Sequence, residues 1–138
     1  KPGKLTPDEF RIMQTHTTIG GQILSNSPSL LIQTARDIAL THHEKNDGTG
    51  YPKGLSGENI PLSARVVAIA DVFDALTSKR PYKDAWPLDR ALEYIKELSG
   101  TAFDPRCVSA FFDGLGEIEG VYSNQEDITS FMSGELTY

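Results

Sequence analysis

Three histidines, His16, His42 and His43, are the only imidazoles in a chain of 138 residues, and two of them are neighbours. Neutral imidazole binds zinc, iron, manganese or nickel. Adjacent side chains on a helix diverge by about 100°, so His42 and His43 can reach two neighbouring metals, or one metal and a substrate. Against that, a lone histidine such as His16 is more often a satisfied core or surface residue, and a doublet does not by itself complete the ligands of a metal site. Asp71 is an independent candidate. It shares a helical face with Val67, Ala68, Asp74 and Ala75, where an ionised carboxylate costs several kcal/mol unless it is paired or coordinated. Two readings of it stay open: a nearby metal cation, or a buried salt bridge to Arg65 or Arg36. Asp74, one turn along, suits a supporting role.

The doublet runs directly into NDGTGYPKG at residues 46–54. Glycine-rich backbone can approach a phosphate closely, although glycine and proline also punctuate ordinary turns. Tyr51 can stack on a base or anchor the loop to the core. Beyond Asp71, the run SKRPYKDAW at 78–86 holds Lys79, Arg80 and Lys83. Arginine offers a planar fork to phosphate oxygens and lysine a point charge; a solvated basic turn is the alternative. Lys79 is the more expendable of the three.

These residues need helices to gather them. Thr6, Pro7 and Glu9 supply an N-cap, an N1 proline and a capping-box acid, which predict a helix from about residue 7 to 25 carrying His16. A second start at Ser27 and Pro28 precedes the stripe Leu31, Ala35, Ile38, Ala39 and His42, ending near His43. Residues 45–61 hold four glycines and two prolines and read as one long loop, a length that is usually functional. Ala64, Val67, Ala68, Asp71 and Ala75 mark a third helix over 62–77. Pro87 opens a fourth that Gly100 closes, and Asp104 with Pro105 opens a fifth running to about Gly114. The fold class is all-α.

Composition narrows the function. The length fits one domain, no stretch approaches the roughly 18 apolar residues of a membrane span, and a single cysteine, Cys107, makes a reducing cytoplasm the expected compartment. The net charge is −6, yet Arg106 is the last basic residue and six acids follow it, so residues 1–106 hold 13 charges of each sign. Such a surface is unsuited to long nucleic acid, whose binding requires basic groups to displace counterions. A small phosphorylated ligand held by metal ions remains open. Residues 1–114 read as the domain and 115–138 as an acidic tail or connector.

In order, KPGKLTPDEF, THTTIG at 15–20 and HHEKNDGTGYPKGLSGENIPLSARVVAIADVFDALTSKRPYKDAW at 42–86 resemble the HD-GYP family, a subgroup of the HD-domain metal-dependent phosphohydrolases. The resemblance implies an HD-domain-like bundle of about five helices, with two or three iron or manganese ions in the complete domain. It implies hydrolysis of cyclic di-GMP to linear pGpG and GMP in bacterial signalling. On this mapping His16, His42, His43 and Asp71 are metal ligands, and Gly50, Tyr51, Pro52, Arg80 and Lys83 contact the nucleotide. No catalytic group beyond the metal ligands is implied. Asn46 stands where many relatives have an aromatic residue. The His-Asp dyad that names the superfamily lies upstream of KPGKLT in relatives, so the domain is expected to be N-terminally incomplete here, inactive as these residues alone, and prone to homodimer contacts where core is exposed. An upstream receiver or sensor domain and a diguanylate cyclase are the expected partners. The competing expectation is a degenerate, non-catalytic module for nucleotide sensing or protein interaction.

Overall fold

The computed structural model of the protein describes residues 5–79, 84–117 and 120. Among them are five α-helices and one short 3-10 turn, and no strand: α1 (Pro7–Ile23), α2 (Leu30–Thr41), α3 (Leu62–Thr77), α4 (Leu88–Glu97) and α5 (Pro105–Asp113), with the 3-10 turn at Gly57–Asn59. This matches the expected all-helical class and the expected number of helices. α1 packs on α2, α2 on α3 and α3 on α4. The chain divides into two compact units, Lys1–Val108 and Ser109–Tyr138, and the three histidines belong to the first.

The helix boundaries follow local chemistry. Thr6 caps α1 in a full capping box: its hydroxyl accepts from the Glu9 amide at 3.3 Å, while the Glu9 carboxylate accepts from the Thr6 amide at 2.8 Å. The orphan amides of Thr6 and Glu9 are thereby satisfied, and Pro7 at the first helical position has none to satisfy. α2 starts at Leu30, two residues beyond Pro28, with Ser29 as N-cap, and α3 and α4 each begin directly after a proline, Pro61 and Pro87. Proline before the first helical residue costs no hydrogen bond, since that amide has no intrahelical partner in any case.

Ile60, Ala64, Ile69, Leu76, Ala91, Ile95, Phe103, Cys107 and Val108 form the buried apolar core. Four polar residues, Thr17, Thr41, Glu44 and Asp104, are buried with them; Glu44 anchors the loop after the histidine doublet, and Asp104 ties α3 to the start of α5. Leu31, expected on the inner stripe of α2, is 76% exposed. No helix among the described residues is long and apolar enough to cross a membrane.

Candidate functional site

His16 reaches the doublet because α1 and α2 approach closely. A Cβ at Gly21 would overlap the Leu40 side chain, and one at Gly20 would stand 3.3 Å from the Ala39 methyl. His42 is the C-cap of α2 and His43 follows in the turn. One ring nitrogen of each of the three histidines lies within 4.8 Å of those of the other two. His16 is exposed; His42 and His43 are half-buried.

The tautomers follow from backbone carbonyls, which can only accept. His16 Nδ1 donates to the Met13 carbonyl at 2.6 Å, and His42 Nδ1 faces the Ile38 and Ala39 carbonyls at 2.9 and 3.1 Å. Each neutral ring therefore carries its proton on Nδ1 and presents a bare Nε2, and the two Nε2 atoms face one another at 3.5 Å. Two acceptors with no proton between them repel. A divalent cation relieves that repulsion, and imidazole nitrogens ligate at about 2.0–2.1 Å, so one ion can span the gap. The carbonyl contacts on the far nitrogens are the usual orienting partners of histidine ligands. The donor set fits a metal.

The third ring is held neutral. Burial first, then repulsion from His42 and from His16, push the His43 pKa down to about 4, with the Asp71 charge pulling the other way. Its lone pair is available at neutral pH without loss of a proton. The His43 ring lies 4.1 Å from that of His42 and 5.0 Å from that of His16, centroid to centroid.

Asp71 lines a cavity of about 260 Å³ together with His42 and His43; Glu44, Lys45, Val72, Tyr94 and Phe103 are among the other walls. Its side chain is not one of the close group of three ring nitrogens. The expectation that Asp71 sits on a buried apolar face is corrected: Asp71 is exposed. Ala64, Ile69 and Leu76 are the buried residues of α3, and residue 71 falls outside the arc they mark at 100° per residue. The cost of a desolvated carboxylate therefore does not arise. Neither suggested salt bridge forms, since Arg65 pairs with Asp104 and Arg36 with Asp37.

The loop after the doublet folds back on it. The Tyr51 amide donates to the His43 carbonyl at 3.2 Å, and the Tyr51 ring stacks on the His43 ring with centroids 4.8 Å apart and planes 25° apart. Phe10 meets Tyr51 edge-on at 6.0 Å, and the phenol reaches the Met13 sulfur at 3.9 Å. Of the two readings of Tyr51, anchoring is the one its contacts describe. Burial, then the Asp71 charge, raises the Tyr51 pKa. Gly50 lies against the backbone of His43, Glu44 and Lys45, where a Cβ would overlap. Pro52 follows Tyr51 through a cis peptide bond and is exposed. Asn46 ties the loop to the turn after α4, its amide donating to Ala102 at 3.0 Å and its side chain to Gly100 at 3.3 Å. Arg80 and Lys83 lie outside the described residues.

Glu44 escaped sequence reasoning. It is 4% exposed, and its carboxylate accepts from the amides of Lys53 at 2.7 Å and Leu55 at 2.9 Å. The available signal was an acid placed directly before a loop rich in unpaired amides, which need an acceptor wherever they are buried.

A family model described as an HD domain matches residues 1–107. The chain belongs to the HD domain family. It is 55% identical over 121 residues to the cyclic di-GMP phosphodiesterase response regulator RpfG of Xanthomonas campestris, covering 88% of this chain and 32% of that protein. A cyclic di-GMP phosphodiesterase of Thermotoga maritima is 52% identical over 127 residues, with 92% and 34% covered. A 3'3'-cGAMP-specific phosphodiesterase 2 of Vibrio cholerae is 45% identical over 127 residues, with 92% and 24% covered. A solved structure of a cyclic GMP-AMP specific phosphodiesterase from V. cholerae superposes with a TM-score of 0.58 at 25% identity, covering 96% of this chain and 28% of that one. The HD domain thus spans about a third of the length of the first two relatives, and the HD-GYP type expected from the motifs agrees with them.

Proposed function

We propose that the protein containing this HD domain is a metal-dependent phosphodiesterase that hydrolyses cyclic di-GMP to pGpG and GMP. The observation that carries the proposal is the meeting of three imidazoles at one spot, two of them with bare Nε2 atoms 3.5 Å apart, in a chain similar to proteins named for this activity. His16, His42 and His43 would hold the metal, with Asp71, which lines a cavity together with His42 and His43, as the fourth ligand. Iron or manganese, two or three ions in the complete domain, is the reading we favour. A bound ion would lower the pKa of water and offset charge developing on the phosphate. This chain's own residues orient the site: the carbonyls of Met13, Ile38 and Ala39 fix two tautomers, and burial keeps His43 unprotonated. Gly50 and Pro52 shape the loop beside the ligands, and Arg80 and Lys83 are assigned to substrate phosphates by resemblance alone.

An upstream receiver domain is supported by the similarity to a protein named as a response regulator. A homodimer is supported by Ile12, Ile19 and Ile23, which stand exposed along one face of α1. The single cysteine supports a reducing cytoplasm.

The test is incubation of the full-length protein with cyclic di-GMP and added manganese or iron, reading pGpG and GMP by chromatography, with 3'3'-cGAMP in a parallel arm. Release of pGpG then GMP is the expected result. Turnover of 3'3'-cGAMP alone would replace the substrate, and no turnover of either with metal bound would favour a sensing module.

A further inference from the structure

The resemblance assigns Tyr51 to the nucleotide, yet one face of its ring is already occupied. The phenol ring stacks on His43 at 4.8 Å and 25°, Phe10 stands against it edge-on, and its hydroxyl meets the Met13 sulfur. Met13 also supplies the carbonyl that orients His16. Tyr51 thus touches, directly or through one residue, two of the three imidazoles.

What holds Tyr51 there is the Glu44 carboxylate. It lies buried beneath the loop and accepts from Lys53 and Leu55, the second and fourth residues after Tyr51. On the near side, the Tyr51 amide is bound to the His43 carbonyl, and Gly50 has no room for a Cβ against residues 43–45. Residues 50–55 therefore wrap a single turn of backbone and are pinned at both ends. His43 lies beyond the last turn of α2, and its ring meets those of His42 at 4.1 Å and His16 at 5.0 Å, centroid to centroid, as well as that of Tyr51. The stack supplies a face for it.

We infer that Glu44 and Tyr51 are positioning residues for His43: the buried carboxylate pins the loop, and the pinned Tyr51 ring sets the imidazole in the orientation that ligates metal. The inference rests on the metal-site reading above. Neither residue ligates, and neither has to touch substrate. Partners that orient histidine ligands typically contribute 10–100-fold in metal affinity, and the expected losses lie in that range.

The experiment measures manganese(II) affinity of the full-length protein by calorimetry, together with kcat and KM for cyclic di-GMP at saturating manganese. The variants are Tyr51→Phe, Tyr51→Leu, Glu44→Gln and His43→Ala, each checked for folding by circular dichroism at the assay temperature. Tyr51→Phe keeps the stacked ring and should bind manganese within about twofold of the parent, whereas Tyr51→Leu keeps an apolar contact to Phe10 but loses the stack and should bind about tenfold more weakly. Glu44→Gln replaces one acceptor oxygen by a donor facing amide donors, and should weaken manganese by a comparable factor. If Tyr51→Leu does not fold, Glu44→Gln decides.

Unchanged manganese affinity in Tyr51→Leu and Glu44→Gln would overturn the inference, most sharply if KM for cyclic di-GMP rises at the same time, since that is the signature of a substrate contact. Equal weakening by Tyr51→Phe and Tyr51→Leu would overturn the role given to the ring. His43→Ala separates the two layers. If it binds manganese like the parent, the metal-site reading fails and this inference fails with it; if it loses manganese while Tyr51→Leu does not, only the positioning role fails.

Discussion

Two polar clusters sit in the same helical unit and are built on opposite principles. In one, Asp104 is 4% exposed and its two oxygens take up every approaching donor: Arg65, the Arg106 guanidinium and the Arg106 amide at 2.8 Å. Arg106 continues outward to Glu58 at 2.8 Å, so the network links α3, the start of α5 and the 3-10 turn. Both Asp104 oxygens are satisfied, while the Nε of Arg65 is buried without a partner; the hydrogen bonds from Arg106, then Arg65, hold the Asp104 carboxyl well below the usual carboxylate range. In the other cluster three imidazoles bring one ring nitrogen each within 4.8 Å of the others, and the Nε2 atoms of His16 and His42 face one another at 3.5 Å. A closed set of partners is a structural joint. An open set of like acceptors is what a cation would complete under the proposed function, and close helix packing at Gly21 brings α1 and α2 together beside it.

The sharpest way to test that contrast is to remove Asp104. Asp104→Ala leaves Arg65, whose side chain is 12% exposed, without its carboxylate. Breaking a buried pair from one side costs about 3–5 kcal/mol, and exposure of the Arg106 side places this case near about 3. Urea denaturation should show that loss, while manganese affinity measured below the transition stays at the parent value. A matching loss of manganese affinity would mean that the two clusters are one.

Metal addition probes the other cluster. Manganese at about 100 times its Kd should stabilise the folded protein by about 2.7 kcal/mol, read as a rise in Tm. His42→Ala should abolish most of that rise and lower affinity by more than about 100-fold, beyond the effect of an orienting partner. The metal-free Tm of the variant should stay close to that of the parent, because the lost ring is half-buried and its ligating nitrogen faces other acceptors.

Much of this was legible in the chain itself. Capping at Thr6 and Glu9, the prolines at 61 and 87, and the glycine-rich run after His43 leave local signals, and local signals fix helix ends and loops. The convergence of His16 with His42 and His43 was readable only as a motif, since the contact that creates it, Gly21 against Leu40, is tertiary. Asp71 shows the limit of periodicity: a helix gives a residue's angle, but the packing of its neighbours decides which angles are buried. Glu44 and Asp104 were missed as anchors for the same reason. Their partners, Lys53, Leu55 and Arg65, are 9, 11 and 39 residues away, so an acid before an amide-rich loop hints at an anchor without naming which donors it takes.

Acid separates the clusters by where each one fails. Folding lowers the His43 pKa from 6.5 to about 4. Between those values the unfolded chain binds a proton that folded His43 refuses, so stability is complete above about pH 6.5 and declines as pH falls toward 4. Asp104 has its pKa lowered from 3.8, so its contribution is intact above that value and is lost only as pH falls further. Thermal melts of the metal-free protein from pH 7 to pH 3 should show two successive declines. His43→Gln should remove the upper one alone, and a single decline beginning below pH 4 in the parent would show that folding does not hold His43 unprotonated.

The smallest effect should come from the rim. Arg106 reaches Glu58 across side chains that are 67% and 77% exposed, where water and salt screen the pair and holding two long side chains costs entropy. Glu58→Gln removes that charge without touching the Asp104 contacts. Its Tm should lie within experimental scatter of the parent at physiological salt, against a clear drop for Asp104→Ala. If Glu58→Gln instead falls as far as Asp104→Ala, the stability of the joint comes from the 3-10 turn being tied down rather than from the buried carboxylate. The division between a closed interior pair and a dispensable outer one would then have to be redrawn.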